Sequence, residues 1–239
     1  MTPLARSQVR HRTHRLIASR YPPVGVFDDL AADEEELRVA FLLEAATNDR
    51  FALLERRLGL LPDGEIVGGE GASLVMAAFL HANEEGGRFT DSRLGAWYAS
   101  FDVETAIVET LYHSDRRLRH SPQGFPTGIQ IRELIADIDC ALCDIRGRQD
   151  EHPALYAPDP ADYGPAQAFA AGLRWPRDGA APDNGIVYDS VRRAGGINLC
   201  LFRPSLVPLP VLQGDHFEYH WDAAGATRVT KITNVEVDS

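Results

Sequence analysis

Residues 184–202 read NGIVYDSVRRAGGINLCLF and hold two short, mainly apolar runs, at 186–190 and 196–202. An Asn-Gly pair precedes the first run, and glycines open the second. Apolar runs of this length between turn residues are typical of buried strands rather than helices. The stretch therefore predicts two strands, and it indicates that the second half of the chain is rich in strands.

Further strands are predicted on both sides of this stretch, at 96–100, at 128–132, at 138–146 and, as a C-terminal hairpin, at about 214–233. Among them, helices are predicted only at 103–113 and 165–173. Strands dispersed among few helices favour an α+β fold over a doubly wound α/β fold. Because no internal repeat is present, we expect a single domain.

The first third of the chain is predicted to be helical. Asp33 and Glu36 form a capping-box pattern that opens a helix. Apolar spacing predicts two more helices, at 51–58 and 72–82. We interpret residues 31–85 as a helical insertion in the domain.

The composition predicts a folded protein, since 44% of the 239 residues are hydrophobic and 25% are charged. The longest apolar stretch is too short to span a bilayer, and no secretion signal is recognised at the start. We therefore expect a soluble cytoplasmic protein that binds no membrane. The net charge of -11 also argues against direct binding to nucleic acid.

The charge is unevenly distributed along the chain. The first twenty residues carry five arginines and no acidic residue. We interpret residues 1–14 as a basic N-terminal arm in front of the domain, which spans residues 15–239. Such an arm is either a solvated tail or a contact for a partner or an anionic ligand.

The three cysteines predict reduced thiols, because their number is odd and no secretion signal precedes them. Cys140 and Cys143 have C-x-x-C spacing, but no second pair or nearby His completes a metal set. We interpret them as core residues of a strand. Alternating polar residues from His216 to Asp222 are interpreted as the outer face of the hairpin, so no metal site is predicted.

Motifs of several enzyme classes are absent from the sequence. It contains no phosphate-binding P-loop, no G-x-G-x-x-G, no G-x-S-x-G and no H-E-x-x-H. Kinase, dinucleotide-fold, hydrolase and zinc-protease assignments therefore lose their main support. The one lysine, Lys231, lies near the chain end, which disfavours lysine-based catalysis.

One carboxylate stands out in the helix predicted at 103–113. Glu109 lies on the same side as Ala106 and His113 by helical spacing, in an otherwise apolar element. A buried glutamate requires a partner, and carboxylates in such surroundings cluster at functional sites. Arg88, which follows two glycines, is either that partner or a phosphate-binding group, and the spacing alone favours an Arg88–Glu109 salt bridge.

These residues belong to longer sequence motifs that resemble those of the RES-domain family of bacterial toxins. The motifs are GRF at 87–89, WYA at 97–99, ETAIVE at 104–109 and IVYDSVR at 186–192. The family is named for an Arg, a Glu and a Ser, and matching these in order gives Arg88, Glu109 and Ser190. The resemblance covers about residues 15–210 of the chain.

The resemblance implies a β core like that of the diphtheria-toxin-like ADP-ribosyltransferases, and an enzyme whose substrate is NAD+. RES toxins break the nicotinamide–ribose bond. Some members of the family pass the ADP-ribose to phosphate or water, and others transfer it to a protein. A mono-ADP-ribosyltransferase with a host protein as acceptor is therefore the alternative. A non-catalytic binding module is a third interpretation. The implied partner is an Xre-type antitoxin that covers the NAD+ cleft.

The resemblance also assigns catalytic roles. Glu109 is implied to stabilise the positive charge that develops on the ribose when nicotinamide leaves. Ser190 is implied to hydrogen-bond the ribose or Glu109, and Arg88 is implied to neutralise the pyrophosphate. Ile107 stands two positions before Glu109, so the E-x-E pair of arginine-directed ADP-ribosyltransferases is absent.

The remaining NAD+ contacts are implied near the N-terminus and at residue 98. Arg20 joins Arg88 at the pyrophosphate, although Arg15 is an equally placed arginine in the family's N-terminal segment. Tyr98 and Tyr21 are implied to stack on the nicotinamide.

Overall fold

The computed structural model describes residues 4–20, 49–122, 124–177 and 179–233, and its centre is one seven-stranded sheet. The strands are β1 (Ala5–Ala18), β2 (Trp97–Ser100), β3 (Thr127–Asp144), β4 (Gly185–Asp189), β5 (Ile197–Leu201), β6 (Leu212–Trp221) and β7 (Thr227–Ile232). They follow the order β1-β2-β5-β4-β3-β6-β7, and β1 also pairs with β3. This additional pairing closes β1, β2, β5, β4 and β3 into a ring, and β6 and β7 extend from it.

Four α-helices accompany the sheet within the described ranges: α1 (Asp49–Leu58), α2 (Ala72–Leu80), α3 (Val103–Arg119) and α4 (Gly164–Arg174). Short 3₁₀ turns lie at Pro153–Tyr156, Pro160–Asp162 and Pro204–Leu206. These few helices among dispersed strands confirm a mixed α+β single domain. The helix predicted to open at Asp33 lies outside the described residues.

The N-terminal segment is a strand, so the interpretation of residues 1–14 as an arm is wrong for the part that the structure describes. β1 pairs antiparallel with β3, from Ala5 opposite Asp144 to Ala18 opposite Ile131. Three of its four arginines have acidic partners: Arg6 pairs with Asp183, and 2.9 Å separates the paired atoms in Arg10–Asp139 and in Arg12–Asp137. The cross-strand pairing takes up the basic charge that the sequence left unassigned.

β3 is a single strand of 18 residues where the sequence predicted two. It continues without a break because β1 pairs with it along almost its whole length. Cys140 and Cys143 fall in two different hydrophobic clusters of the core. All three cysteines are free and buried, and burial raises their pKa values to about 11 or 12. They are protonated core thiols, as predicted.

α3 is longer than predicted and less buried. Asp102 caps it by accepting the backbone N–H of Thr105 at 2.8 Å, and the helix ends at Arg119 rather than at His113. Only four of its residues are buried. The expectation of a helix with two buried faces is wrong because one side of α3 borders a cavity instead of the core.

Two hydrophobic clusters hold the elements that surround this cavity. Val75, Met76 and Phe79 of α2 are buried in the same cluster as Trp97 of β2. Phe217, Tyr219 and Trp221 of β6 pack in a second cluster with Ala106 and Leu118 of α3. Each such buried side chain contributes about 1.5–3 kcal/mol. None of the helices in the described ranges is both long and apolar enough to cross a bilayer.

Candidate active site

A cavity of about 930 Å³ opens between α3, the sheet and the segment at 83–88. This volume is near the upper end of the range for small-molecule sites. β1, β2, β4 and β5 all contribute to its lining. The lining residues of greatest chemical interest are His14, Arg15, Arg88, Tyr98, Glu109, Tyr188 and Asn198.

Glu109 borders this cavity, and three side chains donate hydrogen bonds to its carboxylate. Ser190 Oγ lies 2.7 Å and Asn198 Nδ2 lies 2.9 Å from Oε1. Arg192 Nη1 lies 3.1 Å from Oε2. The side chain of Glu109 is 18% exposed and that of Arg192 is 8% exposed. The carboxylate is therefore largely desolvated and charge-compensated, yet it still opens to the cavity.

The predicted salt bridge between Arg88 and Glu109 is wrong, because Arg192 occupies that place. Arg88 donates through Nη1 to the carbonyl oxygen of Ala157 at 2.7 Å, and its guanidinium lies 4.5 Å from the ring centre of Tyr163. It is buried and lines the cavity. Arg88 thus holds the loop around the 3₁₀ turns against the cavity wall.

Ser190 follows β4, and its hydroxyl is fully engaged. Oγ donates to Glu109 and accepts the backbone N–H groups of Arg192 and Arg193, both at 3.1 Å. This local turn ends the strand and aims the hydroxyl at the carboxylate. Two of the three residues matched from the sequence, Glu109 and Ser190, are therefore in direct contact.

Asn198 supports Glu109 from the sheet, and the sequence analysis did not select it. Ser100 is its cross-strand partner and donates from Oγ to Asn198 Oδ1 at 2.6 Å. Asn198 is a buried polar residue in the otherwise apolar β5. Because a buried amide requires hydrogen-bond partners, a lone Asn in an apolar strand is a signal that could have identified it from the sequence.

Arg192 was also missed. Its guanidinium lies 3.8 Å from the ring centre of Tyr112, and Nη2 donates to the carbonyl oxygen of Pro158 at 3.0 Å. The planar guanidinium can serve a carboxylate, an aromatic face and a carbonyl together. The available signal was its position in the stretch at 186–192, two residues after Ser190.

Three tyrosines line the cavity, Tyr98, Tyr163 and Tyr188, and the sequence analysis selected only Tyr98. The hydroxyl of Tyr98 accepts the backbone N–H of Phe89 at 2.9 Å and lies 3.2 Å from the Thr90 hydroxyl. Burial raises the pKa of both Tyr98 and Tyr188 well above the usual value, and the nearby charge of Glu109 adds to the effect at Tyr188. Both side chains are therefore neutral phenols at physiological pH.

Of the two N-terminal arginines, the structure places Arg15 on the cavity wall and does not place Arg20 there. Arg15 Nη1 donates to the carbonyl oxygen of Tyr98 at 3.0 Å, and its guanidinium lies 5.0 Å from the ring centre of Trp97. Burial lowers its pKa to about 10, so it is still a cation at neutral pH. Its buried Nε has no hydrogen-bond partner among the described residues. Tyr21 lies outside them.

The second half of α3 brings further charge to the edge of the cavity. Arg116 and Arg117 line it, and Arg116 lies 3.6 Å from Glu85. His113 also lines it, which agrees with its predicted placement beside Glu109. The pKa of His113 is lowered to about 4, first by loss of water at the cavity wall and then by the charge of Arg192. His113 is therefore neutral at pH 7, and the arginines suit an anionic ligand.

The polar face of the C-terminal hairpin does not contribute to this cavity. Phe217, Tyr219 and Trp221 are buried, while His216 and His220 lie on the other face of β6. Across the described part of the chain, no group of three or more His, Cys, Asp or Glu side chains is placed to hold a metal ion.

Comparisons with known proteins identify the family of this chain. A family model described as RES domain matches residues 66–222, which is more than half of the chain and includes Arg88, Glu109 and Ser190. The sequence is 24% identical over 226 residues to the uncharacterized protein y4oC of Sinorhizobium fredii (strain NBRC 101917 / NGR234), covering 94% of this chain and 87% of that protein. The fold is also similar, with a TM-score of 0.40 and 12% identity, to a chain in the crystal structure of the M. tuberculosis MbcT–MbcA toxin–antitoxin complex, covering 89% of this chain and 86% of that one. The family match confirms the resemblance found in the sequence: this chain belongs to the RES domain family.

Proposed function

We propose that this protein is a cytoplasmic RES toxin that breaks the nicotinamide–ribose bond of NAD+ and passes the ADP-ribose to phosphate or water. Membership of the RES family supports an enzyme that acts on NAD+. The main support for the proposal is the set of side chains that hold Glu109 beside the cavity. Its carboxylate is held by Ser190, Asn198 and Arg192 and opens to a cavity of about 930 Å³.

Glu109 supplies the electrostatic stabilisation that this reaction needs. When the bond breaks, its electron pair moves to the nicotinamide ring nitrogen, and the anomeric carbon of the ribose becomes positively charged. A fixed carboxylate beside that carbon lowers the energy of the transition state. A carboxylate has about four acceptor positions, and three donors already occupy Glu109. One position is left for a ribose hydroxyl.

Ser190 and Asn198 act as positioning residues in this scheme. Both donate to the same oxygen, Oε1, Ser190 from the turn after β4 and Asn198 from β5. The carboxylate is therefore oriented before the substrate binds, and no reorganisation is required during the reaction.

The pyrophosphate is expected beside the arginines of the cavity. Arg15 takes the role that the sequence assigned to Arg20, because Arg15 lines the cavity and Arg20 does not. Arg88 adds a second cation on the same wall, and Tyr98 presents the ring on which the nicotinamide stacks. Guanidinium groups suit phosphate oxygens through paired hydrogen bonds.

Family membership also supports two proposals about the fold and the partner. The closed ring of strands is the counterpart of the diphtheria-toxin-like β core. A cognate Xre-type antitoxin covers the cavity and blocks NAD+ entry. A host protein is the alternative acceptor, and the Ile107 position makes an arginine side chain the less suitable one.

Mass spectrometry of the purified protein, freed of any partner, tests the proposal. The protein is incubated with NAD+ with and without phosphate, and free nicotinamide, ADP-ribose, its phosphate ester and protein adducts are quantified. We expect nicotinamide release by the wild type and its loss in Glu109→Ala. Glu104→Ala is the matched control, because Glu104 is an exposed residue in the first turn of the same helix.

The outcomes separate the acceptors. Labelled NAD+ in a lysate leaves a labelled protein band only if a host protein accepts the ADP-ribose. Full turnover by Glu109→Ala contradicts the assignment of the site. Intact NAD+ with the wild type in every condition, lysate included, contradicts the enzyme proposal.

A further inference from the structure

A second pair of polar side chains reaches the cavity from β1 and β3. His14 lines the cavity, and its Nδ1 lies 2.5 Å from Glu133 Oε1. His14 pairs with Ile135 across the two strands, so Glu133 is the diagonal neighbour on the same face. The side chain of Glu133 is 4% exposed, while that of His14 is 20% exposed. The imidazole is therefore the part of the pair that a ligand can touch.

Glu133 is fixed by an irregularity in the pairing of β3 with β6. Arg132 pairs with His216 and Leu134 with Gln213, so two residues of β6 stand opposite Glu133. One of them, Asp215, donates its backbone N–H to Glu133 Oε2 at 2.7 Å. A side chain on the other, Gly214, would collide with the carboxylate. Such bulges re-aim side chains and are common beside active sites.

The contact with Glu133 determines which nitrogen of His14 faces outward as an acceptor. An ionised carboxylate only accepts hydrogen bonds, so Nδ1 carries the hydrogen. In the neutral form of the imidazole, Nε2 then holds the lone pair, and it makes no hydrogen bond within the described ranges. A carboxylate that orients a neutral imidazole in this way is the arrangement of a general base.

A row of cross-strand partners connects His14 with Glu109. His14 lies opposite Ser100, Ser100 lies opposite Asn198, and Asn198 donates to Glu109. Two strand spacings place the backbone positions of His14 and Asn198 roughly 10 Å apart. His14 and Glu109, at the two ends of this row, line the same cavity. A ribose held by Glu109 and a water molecule held by His14 therefore share one space.

We propose that His14 Nε2 is the general base that activates water when the nicotinamide–ribose bond is hydrolysed, with Glu133 as its positioning residue. This inference rests on the proposed function. The bond to the anomeric carbon breaks with its electron pair on nicotinamide, and the water oxygen forms the new bond to that carbon. One water proton passes to Nε2 and then to solvent, so the products are nicotinamide, ADP-ribose and a proton. A phosphate dianion already carries a nucleophilic oxygen, so transfer to phosphate does not need this base.

Product ratios of His14→Gln and the wild type test the inference. Each protein is incubated with NAD+ alone and with excess phosphate, and ADP-ribose and its phosphate ester are quantified separately. We expect hydrolysis to fall about 10²-fold in His14→Gln, while transfer to phosphate and NAD+ affinity change little. His11→Gln is the matched control, since His11 lies on the same strand, is exposed and does not line the cavity.

Glu133→Gln provides a second variant. The amide of the glutamine donates to Nδ1, so the hydrogen moves to Nε2 and the base is lost. We expect kcat for hydrolysis to fall as in His14→Gln while KM for NAD+ stays unchanged. Thermal melting and NAD+ titration of both variants verify that the fold and the substrate site are intact.

Three results overturn the inference while leaving the proposed function in place. They are unchanged hydrolysis in both variants, an equal loss of hydrolysis and phosphate transfer, and a wild type that forms the phosphate ester but no ADP-ribose. No nicotinamide from the wild type with any acceptor instead overturns the proposed function itself.

Discussion

The protein contains two Glu–Arg–Ser clusters that are built from the same side chains in different surroundings. Glu65 accepts from Arg203 Nε at 2.5 Å, from the Ser205 hydroxyl at 2.8 Å and from the Ser205 backbone N–H at 3.2 Å. Glu109 accepts in the same way from an arginine and a serine. The side chain of Glu65 is only 1% exposed, whereas that of Glu109 is 18% exposed.

The clusters differ in what lies beyond the carboxylate. Glu65 ties the segment before α2 to the 3₁₀ turn at Pro204–Leu206, and its oxygens serve only the donors around them. Glu109 borders the cavity and receives an additional hydrogen bond from Asn198. A buried Glu–Arg–Ser set therefore does not identify an active site by itself. The opening beside the carboxylate distinguishes the cluster that is proposed to react from the buried structural one.

Glu109→Gln is expected to have the largest effect of any change in the two clusters. The amide keeps the shape of the side chain but removes the negative charge that faces the ribose. Nicotinamide release should fall by about 10³-fold, while the melting temperature changes little. Initial rates with saturating NAD+ measure this loss, and a rate near that of the wild type would contradict the difference drawn between the clusters.

Glu65→Gln should have the opposite signature. Glu65 is buried but the Arg203 side chain is 43% exposed, so water screens the charge that remains on Arg203. The weaker hydrogen bonds of the amide should lower the free energy of unfolding by about 1–2 kcal/mol. The rate of nicotinamide release per folded molecule should stay unchanged. Urea unfolding measures the loss of stability, and initial rates measure whether nicotinamide release is unchanged. A rate loss without a stability loss would place Glu65 in the reaction.

The two serines offer a matched pair with smaller effects. Ser190→Ala removes one donor from Glu109 and one acceptor from two backbone N–H groups, so nicotinamide release should fall about tenfold, which corresponds to about 1.4 kcal/mol. Ser205→Ala should lower stability by about 1 kcal/mol and leave the rate unchanged. Equal rates for both variants would show that the hydroxyl of Ser190 has no positioning role.

The smallest effect is expected from pH, through His113 beside the open cluster. Its pKa is about 4 in the folded protein against an ordinary value of 6.5. As the pH falls below 6.5, the unfolded chain takes up this proton first, so stability falls until the pH reaches about 4. Water in the cavity screens the charge, so the cost between pH 7 and 5 is about 1 kcal/mol or less.

His113→Gln should therefore make the free energy of unfolding less sensitive to acid. His11→Gln is the control, since His11 is exposed like His113 but does not line the cavity. Urea unfolding at pH 7 and pH 5 provides the comparison. If His113→Gln and the wild type lose the same free energy of unfolding between pH 7 and pH 5, the cavity wall around Glu109 is as well hydrated as the protein surface.

Local patterns predicted most of the elements. The runs at 186–190 and 196–202, the C-terminal hairpin and the helix that carries Glu109 were found because apolar spacing and turn residues are local properties. β1 was missed because its arginines appear unpaired until β3, more than a hundred residues later, supplies their aspartates. The same distant pairing turns two predicted strands into the single β3.

The candidate site was also predicted in part. The family motifs identified Glu109 and Ser190, which contact each other. The partner of Glu109 was not predictable from spacing, because the position of Arg88 depends on a loop about seventy residues further along that accepts its hydrogen bonds. The choice of Arg15 over Arg20 likewise required the register of β1.

The ring closure by β1 determines when the cavity can be completed during synthesis of the protein. His14 and Arg15 leave the ribosome early, but the cavity also needs Asn198, roughly 180 residues later. At about 5–20 residues per second, that interval lasts about 10–40 s. Contacts at such large sequence separation also form slowly once the chain is free. A nascent chain therefore carries Glu109 without a finished cavity until most of the protein has been made.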